Sequence, residues 1–167
     1  VPAGGTLVTF AFDSATNITT ISQEQPPVAE PALGDGQFVA QRIVHDSRDD
    51  RYRTPFGAVP VGSAVTLRLR TAANDVEGVT LIVTDLSTGV DRPLPMQPAG
   101  VEDGDQWWAA TLQTTQQPTV WNYKFRLQDG AEVLFHADDG RLDGGPGVSL
   151  AAGPGADGGW DIYAYVP

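Results

Sequence analysis

The sequence predicts an all-β protein, an antiparallel sandwich preceded by a β-hairpin, and three observations carry that prediction. Short runs of Val, Leu, Ile, Thr and aromatic residues recur along the 167 residues, separated by turns rich in the chain's 19 glycines and 13 prolines. Several runs alternate apolar and polar residues with a period of two, as a strand with one wet face requires. No segment shows a helical period, and nothing repeats at solenoid spacing.

The elements follow in order. Leu7-Val8-Thr9-Phe10-Ala11-Phe12 and Ile18-Thr19-Thr20-Ile21 flank an Asp13-Ser14-Ala15-Thr16-Asn17 turn, so residues 1–22 read as a hairpin. Two strands alone are barely stable in water, so this hairpin either docks on something or ends a preceding β-module. Residues 23–37 hold Pro26, Pro27, Pro31 and Gly34-Asp35-Gly36 without an apolar period, and read as a linker. Residues 38–167 form the main domain. Its expected strands are Phe38–Val44, Ala64–Thr71, Gly78–Asp85, Arg92–Met96, Gln106–Gln113, Thr119–Gln128, Ala131–Ala137 and Trp160–Val166. Roughly seven or eight short strands with regular turns suggest an immunoglobulin-like sandwich.

Composition excludes several function classes. A net charge of -11, from 21 acidic against 10 basic residues, repels phosphate backbones and makes nucleic acid a poor partner. The absence of cysteine removes disulfides, thiolate metal sites and cysteine nucleophiles. No apolar stretch approaches the length of a membrane span, so no membrane partner is expected. The chain opens on Val1 and its only methionine is Met96, so it is expected to be part of a longer polypeptide. A missing signal peptide then leaves secretion open.

The most informative stretch is Gln106-Trp107-Trp108-Ala109-Ala110-Thr111-Leu112 followed by Val120-Trp121-Asn122-Tyr123-Lys124-Phe125-Arg126-Leu127. Period two puts Trp108, Ala110 and Leu112 on one core face, and Trp121, Tyr123, Phe125 and Leu127 on the next. Trp107 then points outward, as do Asn122, Lys124 and Arg126. Paired as a hairpin, the two strands would set Trp107 beside Asn122 and Lys124. A flat indole with amide and ammonium donors suits a sugar, whose C–H face stacks on the ring while its hydroxyls take hydrogen bonds. The candidate carbohydrate-binding residues are therefore Trp107, Lys124, Asn122 and, at the strand's mouth, Trp121. The alternative for Trp107 is a cover for a sheet edge or a contact with a neighbouring domain. Trp160 reads as core. Tyr163 and Tyr165 take the outward parity of the last strand and suit an interdomain contact.

Nothing reads as catalytic. His45 and His136 sit at strand ends with no triad or metal spacing between them. Paired carboxylates flanking a cleft, as glycoside hydrolysis needs, are not evident. The acidic loops Asp46-Ser47-Arg48-Asp49-Asp50 and Asp138-Asp139-Gly140-Arg141-Leu142-Asp143 read as solvated turns, with calcium the open alternative. No other cofactor is expected.

The run from Val44-His45-Asp46-Ser47-Arg48 through Tyr52-Arg53-Thr54-Pro55-Phe56-Gly57 to Val59-Pro60 resembles the opening of a known domain. That domain is the N-terminal one of bacterial amylopullulanases and related α-amylases of glycoside hydrolase family thirteen. Val65–Thr71, Trp107-Trp108, Tyr123-Lys124-Phe125 and Trp160–Pro167 are similar to its later strands. The resemblance covers residues 41–167 and implies the family thirty-four carbohydrate-binding module, an immunoglobulin-like sandwich. It further implies α-glucan (starch, pullulan or maltooligosaccharides) as partner, a catalytic barrel in the same polypeptide, and an extracellular bacterial setting. In such enzymes the domain binds glucan in some members and packs on the barrel or mediates dimerisation in others. Residues 1–22 resemble the closing strands of a small β-module that precedes starch-active domains in some pullulanases.

Overall fold

The computed structural model describes residues 7–13, 18–24, 30–142, 144–155 and 158–167. The chain divides at Glu30/Pro31 into two units. The first is an antiparallel hairpin of β1 (Leu7–Asp13) and β2 (Ile18–Glu24), with Leu7 opposite Glu24 and Asp13 opposite Ile18. The clean alternation of both segments explains the pairing. Residues 14–17 of its turn, Pro26 and Pro27 of the expected linker, and Asp143 of the second acidic loop lie outside the described residues.

The second unit is a β-sandwich. One sheet is ordered β3 (Arg53–Thr54), β5 (Ala64–Ala72), β9 (Asp105–Gln113) and β8 (Gln97–Glu102). The other is built around β10 (Thr119–Asp129), with β6 (Gly78–Asp85) along one edge and β7 (Val90–Pro95) beyond it. The opposite edge of β10 is shared. Its first half pairs β13 (Trp160–Tyr165) and its second half pairs β11 (Glu132–Ala137). β12 (Val148–Leu150) flanks β11, and β4 (Val59–Pro60) joins β13 in parallel.

Alternation on β5 buries Val65, Leu67 and Leu69 against Leu81, Val83, Phe125 and Leu127 of the facing sheet, so the core lies between the layers. Trp108, Trp121 and Trp160 close it, as their parity predicts for Trp108 and Trp160. His45 is fully buried among these rings, 4.5 Å from Trp160, with Nδ1 2.7 Å from the Arg68 carbonyl and Nε2 2.9 Å from the Tyr123 hydroxyl.

Three local expectations change. The segment Phe38–Val44 is a short 3₁₀ turn at Ala40–Arg42, with only Val44 bridged to Arg70. β8 is absent from the expected set because Pro98, Gly100 and uniform exposure erase its alternation. Residues 34–36 of the expected linker are fastened to the sandwich, since the buried Asp129 carboxylate accepts the amides of Gly34 at 2.6 Å and Gly36 at 2.8 Å.

Candidate functional site

The expected hairpin of β9 and β10 does not form. After β9 the chain crosses through residues 114–118 to the other sheet, held by the Thr114 amide on the Ser63 carbonyl at 2.9 Å and the Gly62 amide on the Thr115 carbonyl at 2.9 Å. Trp107 therefore lies on one sheet, while Trp121, Asn122 and Lys124 lie on the other. All three are buried, with exposures of 4%, 1% and 5%. Asn122 and Lys124 do take the outward face of β10, but the Gly/Pro-rich segment before β13 folds over that face. Lys124 donates through Nζ to the carbonyls of Gly155 at 3.0 Å and Pro154 at 3.4 Å. Asn122 donates through Nδ2 to Asp161 Oδ1 at 3.0 Å. Gly159 passes so close that a Cβ there would lie 2.2 Å from the Tyr123 carbonyl oxygen, which is why that position is glycine. The proposed neighbours of Trp107 are thus internal fastenings of the other sheet.

Trp107 itself keeps its predicted place. It is half-buried on the outer face of β9, with Arg70 of β5 opposite it in register. Tyr52 supports it, ring centroids 5.1 Å apart and planes 41° apart. The Arg51 guanidinium lies 5.9 Å from the Tyr52 centroid, within cation–π range. On the other side β8 shifts register between Pro98 and Val101, opposite Trp107, so the edge strand bulges and leaves room beside the indole. The result is a cleft of about 300 Å³ lined by Trp107, Ala109, Ala99, Arg51, Arg68 and Glu102. Small alanines make its floor. Two guanidinium groups and a carboxylate frame it.

The electrostatics fix that frame. Arg51 is held on Asp49 by Nη2 at 2.9 Å, and this hydrogen bond keeps the Asp49 carboxyl below its ordinary range. Arg68 reaches the Arg51 carbonyl through Nη1 at 3.4 Å. Burial pushes the Tyr52 phenol up, only partly opposed by Arg70 and Arg51, so it stays neutral beside Trp107. Arg70 and Arg42 both engage the Asp105 carboxylate at the rim of the sheet. Donors and an acceptor of both signs around a ring face can grip a neutral polyhydroxylated molecule without selecting a charged one.

Arg51, Tyr52, Arg68 and Glu102 were not among the sequence candidates. The alternation of β5 already placed Arg68 outward, but the register of β5 against β9 was needed to bring it to Trp107. In the acidic loops, Asp139 is paired to Arg141 at 2.7 Å, as Asp49 is to Arg51. Among the described residues no group of three or more His, Asp or Glu side chains could hold a metal ion.

Fold and cleft together define an immunoglobulin-like β-sandwich with a ring-bearing surface groove on one outer sheet face. Residues 51–149, more than half of the chain, match the profile of the α-amylase N-terminal Ig-like domain, and the chain belongs to that family. It is 31% identical over 145 residues to an amylopullulanase of Thermoanaerobacter thermohydrosulfuricus, covering 85% of this chain and 9% of that protein. A Thermoanaerobacterium saccharolyticum amylopullulanase is 31% identical over 142 residues, covering 84% and 11%. The chain therefore spans about a tenth of the curated relatives it matches. A solved cyclomaltodextrinase superposes with a TM-score of 0.56 at 18% identity, covering 75% of this chain and 19% of that one, a likeness of fold.

Proposed function

We propose that this domain is a non-catalytic α-glucan-binding module of the family thirty-four type, working within a secreted amylopullulanase-type glycoside hydrolase. Residues 1–22 are then the closing strands of a preceding β-module. The single observation that carries the reading is the half-buried Trp107 over an alanine floor, flanked by Arg51, Arg68 and Glu102. A pyranose laid on the indole presents its C–H face to the ring and its hydroxyls to the guanidinium donors and the carboxylate. The relatives named amylopullulanases supply the class of sugar.

Tryptophan fluorescence tests it directly, because three of the four tryptophans (Trp108, Trp121 and Trp160) are at most 6% exposed, whereas Trp107 is half-buried with its ring on the outer face. Titration of the chain with maltooligosaccharides or β-cyclodextrin is expected to shift the emission, and Trp107→Ala to weaken the shift. No shift at millimolar ligand rejects the reading.

A second reading has its own observation. Phe56, Tyr163 and Tyr165 are 59%, 53% and 45% exposed, and the Arg53 guanidinium ties their neighbourhood together by bonding the Gly57 carbonyl at 2.7 Å and the Asp161 carbonyl at 2.8 Å. Such a patch suits docking on a catalytic barrel or a second copy. Deleting the domain from the parent enzyme would then lower its melting temperature and leave soluble-substrate turnover and starch adsorption unchanged. Lost adsorption with an unchanged melt would reject it.

A further inference from the structure

We propose that a second cleft, at the end of the sandwich where β6 begins and β7 ends, is a second glucan subsite lying across the β8–β9 edge from Trp107. The ligand class rests on the reading above; the site does not share its side chains. The cleft holds about 450 Å³, within the range of about 300–1,000 Å³ typical of small-ligand sites.

Its inner wall is apolar, made by Val79, Met96, Pro95, Pro98 and the edge of Trp108. The outer lip is polar: Glu77, Thr80, Arg126 and Gln128. Gly78 leaves the space open, since a Cβ there would meet nothing within 4 Å. Among the described residues Arg126 bonds a neutral partner, Gln128 Oε1 at 3.2 Å, so its guanidinium keeps donors for a ligand. Glu77 accepts the Gly130 amide on Oε2 at 2.9 Å. A lip with both signs of charge disfavours a phosphate, and its polarity disfavours a purely apolar guest. A ring with one apolar face and a hydroxyl periphery satisfies both walls.

Placement supplies the second argument. Pro98 and Trp108 line this cleft, and their chain neighbours Ala99 and Trp107 line the other. Consecutive residues of a strand point to opposite faces, so the two clefts lie back to back on one pair of strands, β8 and β9. β8 is the exposed edge of its sheet, and a curved oligosaccharide that rounds it can occupy both clefts at once. Two linked weak sites bind one long ligand more tightly than either alone.

The test is an amide-resolved NMR titration of the whole chain with maltose and with maltoheptaose, repeated on R126A/Q128A and on Trp107→Ala. Gln128 is exposed and Arg126 is half-buried with its head group on the cleft's lip, so the double substitution leaves the fold intact. The expected result is that amides of residues 78–80, Met96, Gln97 and residues 126–128 shift with maltoheptaose alongside those of residues 107–109. R126A/Q128A then removes the first set, keeps the second, and weakens maltoheptaose about tenfold while leaving maltose at Trp107 unchanged. Shifts confined to residues 107–109, or an R126A/Q128A titration identical to the parent, overturn the second subsite and leave the Trp107 reading standing. Shifts confined to the second cleft do the reverse.

Discussion

Trp107 and Lys124 share an outward parity in sequence and yet meet opposite fates. The indole stays half-open because its neighbours on β9 and β8 are small, Ala109 and Ala99, and because β8 bulges away from it. The ammonium is enclosed because a Gly/Pro-rich segment closes over β10 and offers it two carbonyls. Replacing Lys124 by Ala removes the hydrogen bonds of a charged donor to the half-buried Pro154 and exposed Gly155 carbonyls, and a hydrogen bond to a charged group contributes about 1.5–3 kcal/mol. A urea melt of Lys124→Ala should therefore lose that much stability with sugar binding retained by the folded fraction. Unchanged stability would refute the enclosure. Trp107→Ala should do the opposite, removing binding with a stability change of about 1 kcal/mol or less, since the ring is only half-buried. Parity made Trp107 legible. It could not make Lys124 legible, because alternation reports which way a side chain points and not what lies above it.

At the scale of elements, strand positions were readable wherever burial alternates: β6 occupies the expected residues, and β5, β9 and β13 differ from expectation by a residue at an end. Pairing was less readable. Consecutive strands pair only about two-thirds of the time, and β9 and β10 belong to the remainder because Thr114 and Thr115 anchor their connection to Ser63 and Gly62 rather than closing a hairpin. The same crossover logic hid the candidate site around Trp107, whose neighbours Arg51, Tyr52, Arg68 and Glu102 come from three separate segments. Residues 31–37 show how a Pro/Gly stretch can be structural without any period. Asp129 holds Gly34 and Gly36 by charge-assisted bonds of the kind worth about 1.5–3 kcal/mol. Asp129→Ala is expected to lower stability by about that amount and to speed proteolysis between Pro31 and Gln37. Equal cleavage rates in variant and parent would contradict the fastening.

The molecule as a whole should be sensitive to acid well above the carboxylate range. Burial pushes His45 down to about 3 and His136 down to about 4, from an ordinary 6.5. The unfolded chain protonates both near 6.5, so between that value and the folded ones it holds more protons than the folded state. The stability these histidines contribute is then complete above pH 6.5 and is lost as pH falls toward about 4 and about 3. The loss approaches about 1.4 kcal/mol per pH unit for each histidine. Urea melts at pH 7.0, 5.5 and 4.5 should show it, and His45→Gln should flatten the slope while lowering stability at pH 7.0. A flat profile over that window would mean that the histidines are not buried as neutral rings. The net charge of -11 adds repulsion in the neutral range, and opposes the binding of any polyanion.

The proposed glucan binding depends on one ring being reachable. Adsorption to granular starch, measured for the parent chain and for Trp107→Ala at pH 7.0, tests this most directly. The parent should be retained by starch, and the variant, equally folded by circular dichroism, should stay in the supernatant. Equal adsorption of the two proteins, or none by either, would contradict it.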